Sequence, residues 1–95
     1  MDINQAHHQT AEVLKLIAHP LRLRILLTLL EQPALQVSAL QEQLKIEQAL
    51  LSVYLNKMKD RGLLVGRRQG TSIYYTLRNP AFVDQLKQIL ERSAL

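Results

Sequence analysis

The chain has 95 residues, a formal net charge of +4 and no cysteine. That length predicts a single domain with a small core, and 47% apolar residues is too many for a disordered chain. The missing thiols exclude a disulfide scaffold, a thiolate zinc site, a cysteine nucleophile and a thiol redox sensor. The opening MDINQAHHQ is polar, with no basic segment leading into an apolar stretch, so no secretion signal is expected. No apolar run approaches the roughly 18–20 residues of a membrane span, and a cytoplasmic location with no membrane partner is expected. Segment 3–18 predicts a first helix, with Ile3, Ala6, Val13, Leu14 and Ile17 near one stripe. His19-Pro20 breaks it, because the residue before proline avoids the helical region. Pro20 suits the first turn of a second helix, whose broad apolar face carries Leu21, Ile25, Leu26, Leu29 and Leu30. Glu31-Gln32-Pro33 ends that helix.

Val37, Leu40 and Leu44 have the spacing of a short third helix. A fourth runs from about Gln48 to Arg61, with Leu51, Leu55 and Met58 on one side and Gln48, Ser52, Asn56 and Lys59 on the other. Gly62 is placed to stop it. The period then changes to two. Leu63 to Arg68 predicts one strand, Gln69-Gly70 a turn, and Ser72 to Leu77 a second strand with Ile73, Tyr75 and Leu77 facing inward. Asn79 can cap a last helix that has Pro80 at its first position and a stripe of Phe82, Leu86, Ile89 and Leu90. The expected order is α-α-α-α-β-β-α, mainly α with a β-hairpin.

The charge is not evenly spread. Residues 45–78 hold seven bases and two acids, whereas residues 1–44 hold three bases and four acids. The basic third coincides with two short helices, the second carrying an exposed polar face, and with a hairpin that has Arg67 and Arg68 beside its tip. Two such helices make a helix-turn-helix, and the hairpin makes a wing. The major groove of duplex DNA admits a helix, and short amide and hydroxyl side chains reach base edges there. Arginines on a wing neutralise phosphates and release counterions. The candidate reading surface is therefore Gln48, Ala49, Ser52, Val53, Asn56 and Lys59, and the candidate wing contacts are Arg67, Arg68 and Thr71. The expected partner is double-stranded operator DNA.

Segment 14–77 resembles the ArsR-type (ArsR/SmtB) winged-helix repressors. The matching stretches are Leu16-Ile17-Ala18-His19-Pro20-Leu21-Arg22-Leu23-Arg24-Ile25-Leu26, Leu51-Ser52 with Leu55, Gly62-Leu63-Leu64-Val65, Arg67-Arg68-Gln69-Gly70 and Tyr74-Tyr75-Thr76-Leu77. The resemblance implies a winged helix-turn-helix over residues 1–95, acting as a dimeric transcriptional repressor. It implies that helix 48–61 reads DNA and that the first and last helices build the dimer. Ile3, Val13, Phe82, Leu86 and Ile89 are the expected interface residues, being more large apolar groups than the ends of a small core can cover. Two positions depart from the family pattern: Tyr54 stands where the family usually has histidine, and Glu47 where it often has a serine or threonine cap.

The family's sensing motifs are missing. Gln36-Val37-Ser38 occupies the place of a Cys-x-Cys pair, and Asp84 is followed by Leu86 rather than histidine. No histidine lies beyond His19. His7 and His8 could form a partial site with Asp2, but the two histidines are adjacent, point about 100° apart on a helix and do not form the i, i+4 pair that metal sites favour. No metal site, no cofactor and no catalytic residue are expected, and the effector is open. Two other functions compete with a DNA-binding repressor: a winged-helix module that binds protein, and a repressor that senses metal through His7 and His8.

Overall fold

The computed structural model describes residues 3–93, with side chains from His7 to Arg92. The elements are α1 (Ile3–Ile17), α2 (Pro20–Glu31), β1 (Leu35–Gln36), α3 (Val37–Leu44), α4 (Gln48–Asp60), β2 (Leu64–Gln69), β3 (Ser72–Leu77) and α5 (Pro80–Ser93). All five expected helices and both expected strands form. The architecture is a winged helix-turn-helix.

Local chemistry sets most boundaries. His19 is extended and caps α2, its Nδ1 accepting from the Leu21 backbone N–H at 3.2 Å, with Pro20 opening the helix. Glu47 caps α4 by accepting from the Ala49 N–H at 3.1 Å, so this glutamate does the work of the serine or threonine it replaces. Asn79 caps α5 by accepting from the Phe82 N–H at 3.1 Å. Helix α3 ends at Lys45 with a left-handed φ of 55°. That conformation costs a non-glycine residue about 1–2 kcal/mol. It turns the chain sharply, and buried Ile46 anchors the link to α4. Gly62, with φ 78°, takes the chain from α4 into the wing.

Helix α4 stops at Asp60 with Arg61 as its cap residue, one residue short of the expected end. The wing is shifted by one residue as well. Gln69 pairs with Ser72, so the two-residue loop is Gly70-Thr71 rather than Gln69-Gly70. Only Gly70 of the two has positive φ (63°), which matches a type II′ turn with glycine at its first central position. The sheet also has a third strand. Leu35 pairs with Tyr75 and Gln36 with Tyr74, giving the antiparallel order β1-β3-β2. Gln36 Nε2 donates to Tyr74 Oη at 2.8 Å, so the start of α3 is tied to the wing.

The core lies where α2 crosses the other layers. Ile25, Leu26 and Leu29 of α2 pack with Leu40 of α3 and with Leu51 and Leu55 of α4, all essentially inaccessible to solvent. Burying each such side chain contributes about 1.5–3 kcal/mol. Tyr75 and Leu77 reach this core as their alternation predicts. Ile73, expected to follow them, is exposed near the wing tip. Among the described residues, no helix is long and apolar enough to cross a membrane.

Candidate nucleic-acid interface

The interface is built on α4. Its buried stripe is Leu51, Tyr54, Leu55 and Met58. At 100° per residue, the direction opposite that stripe carries Ala49, Val53, Asn56 and, in the last turn, Asp60, all exposed. Gln48, Ser52 and Lys59 flank this centre on the side of Leu55, and Ser52 is half-buried. The helical period puts Val53 close to the outermost line of the helix, and Val53 is 48% exposed.

Tyr54 faces inward. Its hydroxyl lies 3.2 Å from His19 Nε2, and the guanidinium carbon of Arg22 sits 4.8 Å from its ring centroid. Because His19 Nδ1 accepts the α2 cap bond, the ring proton is assigned to Nε2, which donates to the Tyr54 oxygen. Arg22 Nη1 donates to the Leu16 carbonyl at 3.3 Å, while its buried Nε has no acceptor. The tyrosine that replaces the family's usual histidine is thus a link between α4 and the start of α2, and it does not belong to the reading surface.

The basic residues stand largely unpaired. Of the seven bases in 45–78, only Arg61 forms an ion pair among the described residues, at 3.5 Å from Glu12. Lys45, Lys57 and Lys59 lie on or beside α4, and Arg67, Arg68 and Thr71 are exposed on the wing. An intramolecular carboxylate would have competed with a phosphate for these groups, and for six of the seven none is in place.

The other expected surface lies on α1 and α5. Val13, Phe82 and Leu86 are half-buried against the protein's own core, so they are less available than expected. Ile89 is 57% exposed. Leu14 (54%) and Leu90 are exposed too, although neither is among the interface residues expected from the sequence. Leu14, Val13 and Phe82 line a groove of about 300 Å³ where the two helices meet. The side chain of Ile3, and Asp2 altogether, lie outside the described residues. Among the described residues, no group of three histidine, cysteine, aspartate or glutamate side chains could hold a metal ion.

Comparison with known proteins points the same way as this geometry. The family described as bacterial regulatory protein, arsR family, matches residues 19–64. The chain is similar to the transcriptional repressor PagR of Bacillus anthracis, 43% identical over 70 residues, 74% of this chain and 70% of that protein. The crystal structure of PagR superposes with a TM-score of 0.78, covering 90% of this chain and 98% of that one at 36% identity. The HTH-type transcriptional regulator NmtR of Mycobacterium tuberculosis is 37% identical over 90 residues, 95% of this chain and 74% of that protein. HlyU from Vibrio cholerae has a TM-score of 0.80 at 31% identity, covering 99% of this chain and 98% of that one.

Proposed function

The chain belongs to the arsR family of bacterial regulatory proteins, and from that premise we propose that it is a homodimeric repressor in which α4 reads operator DNA and the wing holds it. That it is a DNA-binding transcriptional regulator, and not an enzyme, follows from the family itself. The finer reading rests on one observation above the others: an exposed helix face with Lys45, Lys57 and Lys59 on or beside it and Arg67 and Arg68 exposed on the wing, none with a carboxylate partner among the described residues. Gln48, Ala49, Ser52, Val53, Asn56 and Lys59 would lie along the major groove. Arg67, Arg68 and Thr71 would meet the backbone or the minor groove. The exposed apolar groups Leu14, Ile89 and Leu90 support pairing through α1 and α5.

We propose further that the signal releasing the repressor is not a metal ion. No cysteine is present and no histidine follows His19. Selection of bound sequences from a random duplex pool, followed by affinity measurement at several salt concentrations, tests the whole reading. A recovered consensus with a steep fall in affinity as salt rises is the expected result. Absence of both would leave a winged-helix module that binds protein.

A further inference from the structure

Val53 is out of place on a surface meant for polar readout. It is β-branched and apolar, it is 48% exposed, and it sits on the outermost line of α4 with Ala49 one turn before it. Single exposed apolar residues are common on any surface. Its setting is mixed: Ala49 and the exposed Leu50 lie one turn before it, Asn56 and the unpaired Lys57 one turn after it, and Lys59 lies farther round the same helix. A protein partner that buried Val53 would have to bury these charges with it. Duplex DNA would not, because its phosphates meet the lysines while its groove floor meets the valine. The groove floor offers one apolar group, the C5-methyl of thymine.

We propose that Val53, supported by Ala49, is a specificity-determining residue that reads a thymine methyl group in each operator half-site. The inference rests on the assignment of α4 to the major groove and adds the chemical group recognised. Asn56, one turn on from Val53, is placed to take the N6 and N7 edge of a neighbouring adenine, so a half-site rich in A·T pairs is expected beneath the middle of α4.

The test replaces thymine by deoxyuridine, one position at a time, in the operator recovered from a random pool. Deoxyuridine lacks only the methyl group and pairs identically. At one position per half-site, the wild-type protein should lose about three- to fivefold in affinity, the value of one buried methyl-sized group. Val53→Ala should bind thymine and deoxyuridine operators equally at that position, and should keep its thermal midpoint. Removal of the methyl with no effect at any position under α4, or an effect that persists in Val53→Ala, overturns the inference while sequence-selective binding leaves the α4 assignment standing. A shift of Val53→Ala to a smaller assembly in sedimentation also overturns it, since the valine would then belong to a contact between copies. Failure to recover any operator removes the α4 assignment and the inference together.

Discussion

His19 carries two bonds from one ring, a helix cap through Nδ1 and a link to Tyr54 through Nε2. His19→Ala should therefore cost about 1–2 kcal/mol from the cap, with a further contribution from the missing tyrosine bond. Tyr54→Phe removes only the second bond and should cost about 0.5–1.5 kcal/mol. The double variant should cost less than the two singles together, because both remove the same bond. Urea unfolding of the four proteins measures this, and additive costs would mean that the bond contributes nothing. A second pair of residues separates reading from holding. Gln48→Ala should cost about 1–3 kcal/mol on the operator and little on random DNA. Arg68→Ala should weaken both DNAs alike and lower the salt slope by about one unit for each phosphate that the arginine no longer neutralises. Titrations of both variants against both DNAs at several salt concentrations decide it, and identical behaviour would sink the division of labour.

Each element of the interface depends on how it ends. Helix α4 starts at a glutamate cap and ends at Asp60, and two residues on the chain turns away at Gly62, whose φ of 78° other residues do not adopt cheaply. Gly62→Ala should destabilise the protein by about 1 kcal/mol, seen as a lower urea midpoint with an unchanged slope. These ends are legible in the sequence because capping and glycine chemistry are local. The wing loop differs by one residue from the sequence expectation because Gly70 can serve as either central residue of a two-residue turn. Pairing of Gln69 with Ser72 settles the register, and that pairing belongs to the whole hairpin. Strand β1 is not legible at all. Two residues carry no period, and Leu35–Gln36 is extended because the edge of β3 offers it hydrogen bonds.

At the scale of the molecule, the apolar ends of α1 and α5 make the dimer prediction sharp. Leu14 and Ile89 are more than half exposed, which a lone chain in water gains nothing by displaying. The double substitution Leu14→Glu with Ile89→Lys should convert the assembly to a monomer near 10.9 kDa at micromolar concentration. It should also weaken operator binding far more than binding to random DNA, since two half-sites about one helical turn apart would no longer be engaged together. Sedimentation of wild type and variant checks the first part, and a wild-type monomer would sink the proposal.

Read alone, the order of residues determined the helices, the hairpin, the Asn79 cap, the Gly62 stop and the concentration of positive charge, because each arises within one or two turns of chain. It also carried the motifs that resemble the ArsR-type repressors. Tertiary structure alone decided which apolar residues remain uncovered. Val13, Phe82 and Leu86 match Leu14, Ile89 and Leu90 in kind, yet the first three pack on the core and the last three do not. The period of α4 already sets Tyr54 beside Leu51 and Met58, but tertiary structure alone gave its hydroxyl His19 and its ring Arg22. It alone half-buried Ser52, which the sequence places with Gln48 and Asn56 on the polar face of α4. Periodicity says that a helix has two faces; only the neighbours that pack against it fix where the boundary between them falls.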